Sequence, residues 1–242
     1  MTRGFVVQPR FCGPPRSGNG GYVAGRLASF VDADVVEVTL RSPPPLGSRL
    51  EVSDAEPIVE LHAGEILVAQ AKGSTLEGAP PESVSYSVAA AAAQRYAGRR
   101  EHPFPTCFVC GTQRADGDGM RLEPGAIGAG RVAAAWRPHD SLGAAEGADD
   151  SLVAPEFVWA ALDCPGGWAA GIAGRPMVLG RLTARVLSRP RPGDECVVVG
   201  QWRETDGRKA FTSSALFGAN GELLAHGRAT WLEIDPARVV PR

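Results

Sequence analysis

The sequence predicts an α+β fold made of two similar units, each an antiparallel sheet wrapped around one central helix. Three observations carry that prediction: an almost wholly apolar helical stretch over residues 155–171, alternating strand-like runs on both sides of it, and a short internal repeat. The repeat lays residues 39–52 over 185–198 without a gap, matching Ser42 to Ser188, Pro44 to Pro190, Gly47 to Gly193 and Val52 to Val198.

In the apolar stretch, Pro155 suits a first helical position, where its missing N–H costs nothing, and Glu156 complements the positive helix end. Phe157, Ala160, Ala161, Cys164 and Trp168 fall on one i, i+3, i+4 stripe. Glu156 and Asp163 are its only acids, separated by two turns, or roughly 10 Å of rise at about 1.5 Å per residue, so both point off nearly the same face. Pro165 predicts a kink or break near the middle of the helix, and Gly166 and Gly167 weaken it further. Asp163 then has two readings: a carboxylate placed for chemistry, or the N-cap of a helix that restarts after the break.

The first unit reads as a strand over 4–12, a Gly/Pro-rich loop over 13–18, and a shorter helix over 19–30. Asn19 is a good N-cap, and Tyr22, Val23, Leu27 and Phe30 lie at helical spacing. Strands follow over 35–40, 49–52, 58–62 and 65–71, the last two joined by a hairpin turn at 61–65. The stretch 83–100, with its alanine run, reads as part of a linker without a strong partner face. The plan restarts with a strand over 131–136, a polar loop to Asp150, the apolar helix, and strands over 178–187, 195–201, 210–217 and 223–234. Asp206-Gly207 and Asn220-Gly221 are hairpin turns. The expected organisation is a first unit over 1–82, a linker over 83–104 and a second unit over 105–242.

The chain has 242 residues, 44% of them hydrophobic, enough to bury a substantial core. Its net charge is −2, and its basic residues form no patch, which argues against a nucleic-acid partner. The first residues have no apolar signal core, and no apolar run approaches the span of about 20 residues that a membrane helix needs. A soluble cytoplasmic protein is expected. Five cysteines, an odd number, fit reduced thiols better than a disulfide framework. Cys107 and Cys110 are spaced to share a metal, but no second pair is visible and Cys12 and Cys164 stand isolated in sequence. A turn with two small buried side chains is therefore the expected reading, a zinc-stapled module the alternative, and no metal or other cofactor is predicted.

The order of elements, the strand-turn-strand over 185–198 with its Arg-Pro-Gly-Asp turn, and the helix Pro155 to Asp163 with an acid eight positions on together resemble the hotdog-fold acyl-CoA thioesterases of the fused double-hotdog type. Asn19-Gly20-Gly21-Tyr22 likewise resembles the Gly-Gly helix start of that family. The chain departs from the pattern: the second helix begins Pro155-Glu156-Phe157 without His-Gly-Gly, and the first lacks an acid at the matching position, Leu27. Each unit thus keeps a different part of the site.

The resemblance implies thioester hydrolysis, with an acyl-CoA or acyl-carrier substrate and a homodimer of double-hotdog chains. The reaction needs donors for a developing oxyanion and a base for water. Asn19, Gly20 and Gly21 at the helix start are the candidate donors, and Asp163 is the candidate base, with Glu156 a second acid. Tyr22 and Trp159 are candidate substrate contacts, and Trp168 and Trp202 could also line an acyl pocket. His139-Asp140, Ser213-Ser214 and Cys164 are weighed as chemistry but read as ordinary structural positions. Serine-hydrolase elbow, phosphate-loop and dinucleotide motifs are absent. The alternative function is a non-catalytic acyl or acyl-CoA binding protein that keeps the fold.

Overall fold

In the computed structural model, which describes residues 3–143 and 152–235, the strand-forming runs join one antiparallel sheet of eleven strands. The first half supplies β1 (Gly4–Val6), α1 (Gly20–Ala28), β2 (Val35–Leu40), β3 (Arg49–Ala55), β4 (Ile58–Ala63) and β5 (Ile66–Gly73). A helix, α2 (Tyr86–Ala92), comes next. The second half supplies β6 (Gly125–Gly128), β7 (Arg131–Trp136), α3 (Pro155–Ala169), β8 (Met177–Val186), β9 (Cys196–Asp206), β10 (Lys209–Phe217) and β11 (Leu223–Glu233). The strand order is β1-β3-β4-β5-β2-β8-β11-β10-β9-β7-β6. Among the described residues no helix is long and apolar enough to cross a membrane.

The two halves join where β2 pairs with β8, and Glu37 lies opposite Thr183, the position equivalent to it in the repeat. A pairing centred on equivalent residues makes the halves related by an approximate twofold. The repeat is also kept bond by bond. Arg41 and Ser42 both donate their N–H to the Val68 carbonyl, as Leu187 and Ser188 do to that of Leu224. Gly18 N–H reaches Pro44 O at 2.8 Å, and Val153 N–H reaches Pro190 O at 2.8 Å. Gly47 and Gly193 take left-handed φ values of 73° and 85°, a conformation glycine adopts without steric cost.

The period-2 alternation of β9 sorts its side chains to opposite faces of the sheet. Val198 joins the main core with Leu162, Leu182 and Leu216. Val197 and Val199 instead pack with Ala89 of α2, Ala133 and Phe217 in a smaller cluster. The alanine run therefore does have a partner face, contrary to the expectation from sequence: small side chains let α2 lie close on the sheet. Two other differences have local causes. The strand expected over 4–12 is only three residues long, because Pro9, with no N–H to offer a ladder, starts a 3-10 turn. The short, glycine-bounded β6 carried no sequence signal.

α3 is continuous from Pro155 to Ala169, with Pro165 inside it, so the expected break does not occur and Asp163 is a helix-interior residue rather than a cap. Burial holds the helix together across the proline: every residue from Phe157 to Trp168 is buried, and Ser214 Oγ on β10 donates to the Leu162 carbonyl at 2.6 Å, three residues before the proline. α1 lies antiparallel against α3. A Cβ added to Gly21 would meet Asp163 Cβ at 2.5 Å, and one added to Gly25 would meet Glu156 Cα at 2.6 Å and Trp159 Cβ at 2.7 Å. Neither contact leaves room for a side chain.

Gly25→Ala is accordingly expected to cost about 2–3 kcal/mol through overpacking, measured as a fall in the urea midpoint. Gly174→Ala, where an added Cβ meets nothing within 4 Å, is the matched control and should change stability by less than about 0.5 kcal/mol.

Candidate active site

The site is built at the N-terminus of α1. Asn19 caps the helix, its Oδ1 accepting the Tyr22 N–H at 2.9 Å. Its other side-chain atom, Nδ2, donates to Asp163 Oδ2 at 3.0 Å, and the Gly21 N–H donates to the same oxygen at 2.9 Å. Asp163 thus reaches across from α3 and sits on the positive end of α1. Only the close approach at Gly21 brings it there.

Asp163 is 2% exposed, and its second oxygen, Oδ1, is buried without a hydrogen-bond partner. Burial dominates its acidity and pushes the carboxyl up to about 7; the Gly21 N–H and Asn19 pull it down, and neighbouring Cys107 adds to the rise. Asp163 lines a cavity of about 940 Å³, together with Asn19, Gly20, Cys164 and Trp168. The ends of β8 and β11 close another wall, and three exposed arginines, Arg16, Arg41 and Arg208, stand among the lining residues.

Cys107, Cys110 and Cys164 meet in the same wall. Their sulfurs all lie within 4.8 Å of one another, and those of Cys107 and Cys164 are 3.8 Å apart. The Cys107 to Cys110 turn is closed by the Gly111 N–H on the Cys107 carbonyl at 2.8 Å. A Cβ on Gly111 would stand 2.4 Å from that carbonyl oxygen, so the turn admits only glycine. Hydrogen bonds from the Cys110 and Cys164 thiols hold Cys107 well below the ordinary thiol range. Burial first raises Cys110, whereas the hydrogen bond to Cys107 first raises Cys164. His102 supports the turn from behind. Its Nδ1 accepts the Phe104 N–H at 2.9 Å, which leaves Nε2 to donate to the Cys110 carbonyl at 3.0 Å. Both ring nitrogens are occupied, and burial lowers its basicity.

Of the residues singled out from sequence, Asn19, Gly20, Gly21 and Asp163 converge here. Glu156, Tyr22 and Trp159 form no part of the cavity wall. Because the helices run antiparallel, Glu156 meets α1 one turn beyond Gly21, at Gly25, and it pairs with Arg26 at 3.8 Å. Tyr22 stacks on Phe11 with centroids 4.3 Å apart, and its hydroxyl accepts from Arg26 at 3.1 Å. Trp159 is buried beneath Gly25. Trp168 does line the cavity, whereas Trp202 is exposed. Ser213 Oγ accepts from Arg203, and His139 Nδ1 accepts the Ser141 N–H, both ordinary structural bonds. Cys164, which looked isolated, is the third member of the thiol cluster.

The repeat also corrects the match between the two helices. Asn19 and Ala154 are the two N-caps, each following a residue held by the equivalent proline carbonyl. Ala28, rather than Leu27, is therefore the counterpart of Asp163.

The architecture matches solved structures over nearly the whole chain. A protein of Novosphingobium aromaticivorans named as a thioesterase superposes with a TM-score of 0.60 at 17% identity, over 96% of this chain and 95% of that one. The tesB protein of Mycobacterium avium subs paratuberculosis gives 0.58 at 14% identity, over 96% and 92%. A protein of Thermobifida fusca named as a thioesterase II gives 0.57 at 14%, also over 96% and 92%. At such identities the likeness is one of fold. No protein-family model matches the sequence, and no curated protein matches it.

Asn19→Asp tests the bond between the helices. Asp caps a helix as well as Asn does, but here it would set a second carboxylate about 3 Å from the first. At pH 8 the variant should lose about 2 kcal/mol or more in urea unfolding. An unchanged midpoint would mean that Asn19 serves α1 alone.

Proposed function

We propose that the chain is a double hotdog, each half-sheet wrapped around its own helix, that hydrolyses an acyl thioester of coenzyme A or of an acyl carrier. One observation carries the reading: Asp163 lines the cavity with Oδ2 fixed by Asn19 and Gly21 while Oδ1 stays without a partner. A carboxylate held by one oxygen keeps the other, buried in this structure, to take the proton of a water brought against it.

In this reading the thioester carbonyl lies against the start of α1, where Gly20 in the cavity wall presents a first-turn N–H to the developing oxyanion. Water adds to the carbonyl carbon as Asp163 takes its proton. The tetrahedral intermediate collapses with cleavage of the C–S bond, and the proton passes from Asp163 to the departing thiolate. The product acid and free thiol account for every atom. Arg16, Arg41 and Arg208 among the lining residues suit the phosphates of coenzyme A or of a carrier's phosphopantetheine arm.

The duplicated position is not a second site. There the helix starts at Ala154-Pro155, which offers neither a capping side chain nor an N–H at the proline, and Ala28 replaces the acid. One site per chain follows.

Thiol release from a panel of acyl-CoAs, measured for the wild type beside Asp163→Asn, checks the proposal. The variant keeps the shape of the side chain and should lower kcat about 100-fold or more with KM little changed. Saturable binding without release of thiol from any acyl-CoA or acyl-carrier thioester would replace the hydrolase with an acyl-binding protein.

A further inference from the structure

We propose that Cys107, Cys110 and Cys164 together bind one zinc ion, with its fourth coordination position open to the cavity. Tetrahedral zinc–thiolate bonds of about 2.3 Å place sulfurs about 3.8 Å apart. The Cys107 and Cys164 sulfurs are separated by 3.8 Å, and all three lie within 4.8 Å of one another. Neutral thiols packed as small hydrophobes need no such convergence from segments 54 and 57 residues apart in sequence (110 to 164 and 107 to 164).

The surroundings fit thiolates. Asn19 Nδ2 lies 3.9 Å from the Cys107 sulfur and 4.0 Å from that of Cys164. Backbone N–H groups of Val109 and Cys110 add to the lowering of the Cys107 thiol. The Trp168 indole nitrogen is buried without a hydrogen-bond partner and lines the cavity beside the three cysteines. These groups favour negative charge at Cys107, and a cation bound among the sulfurs would displace the protons that Cys110 and Cys164 hold in its absence. His102, holding the Cys110 carbonyl, and Gly111, closing the turn, fix the ligand geometry without supplying a ligand.

Among the described residues no fourth His, Cys, Asp or Glu joins the three sulfurs. Asp163 Oδ2 is already engaged by Asn19 and Gly21, and all three cysteines line the cavity. The fourth position therefore falls to water, or to an oxygen or sulfur of whatever enters. Three protein ligands with one open position is the arrangement of zinc sites that meet a substrate, not of closed structural ones. This site stands whether or not the chain cleaves thioesters, because it is read by metal content.

The test uses the full chain, purified under reducing conditions, equilibrated with excess zinc and passed through a desalting column. Elemental analysis should give about one zinc per chain. The cobalt-substituted protein should show sulfur-to-cobalt charge transfer and the intense visible bands of a tetrahedral site, and an added small thiol should shift those bands. Cys107→Ser, Cys110→Ser and Cys164→Ser should each lose metal. Cys196→Ser, at a buried thiol outside the cluster, should keep it. If the cluster variants do not fold, the wild-type zinc content and cobalt spectrum decide. A metal-free protein, a cobalt spectrum without sulfur ligation, or a Cys107–Cys164 disulfide found by mass spectrometry of the same preparation would overturn the proposal. Cobalt bands that ignore added ligands would overturn the open position.

Discussion

Two glycines one turn apart on α1 let two helices touch, and the candidate site depends on that contact. With any side chain at Gly21 or Gly25 the backbones of α1 and α3 would have to separate by more than a flexible neighbour could absorb, since the groups they meet are backbone and Cβ atoms. Contact at that range lets a carboxylate on one helix accept a backbone N–H at the start of the other. Helix dipole, cap and carboxylate then act at one point. The β2–β8 seam supports the same geometry from below, because it fixes the crossing of the two helices through a pairing of equivalent strands.

A pseudo-twofold fold presents two such helix starts, and the sequence has furnished only one. The first has Asn19 and two glycines facing an aspartate; the second has Ala154 and Pro155, and Ala28 stands at the position equivalent to the aspartate. The asymmetry is chemical and leaves the scaffold intact, since the turns at Gly47 and Gly193 and their carbonyl partners are kept in both halves. The candidate site thus draws on both halves, with the start of α1 supplying donors and α3 supplying an acid from its interior.

How far the sequence reveals this depends on the range of each interaction. The Asn19 cap is local, a side chain bonded three residues on, and it was legible. Asp163 stood out because an acid in the middle of an apolar helix has to be satisfied from outside that helix, although nothing local could name Asn19 and Gly21 as its partners. The strands and the repeat were legible from alternation and turn residues. Pro165 misled because propensity rules describe an exposed helix, whereas this one is buried on nearly all sides and Ser214 takes up the Leu162 carbonyl close to the proline. Glu156 lies on the expected helix but at the other end of the contact, since helix direction is a tertiary fact, and Tyr22 lies at the cap with its ring turned to Phe11 instead of the cavity. Cys164 carried no signal at all: its meeting with Cys107 exists only once α1, α3 and the 107–110 turn are packed together.

The cavity wall concentrates groups that are costly to bury: a carboxylate with one unpartnered oxygen, three thiols, and an indole N–H without a partner. An apolar wall of the same volume would fold more easily. Their charges are also coupled, because Asn19 Nδ2 stands between Asp163 and the sulfurs of Cys107 and Cys164. Three thiolates there would oppose the charge of Asp163, whereas a divalent cation among them would cut their net charge from three negative to one and lessen that opposition. In that arrangement the donor pair at α1, the acid and the sulfur triangle form one electrostatic unit, and the amide of Asn19 is the side chain that touches all of its parts.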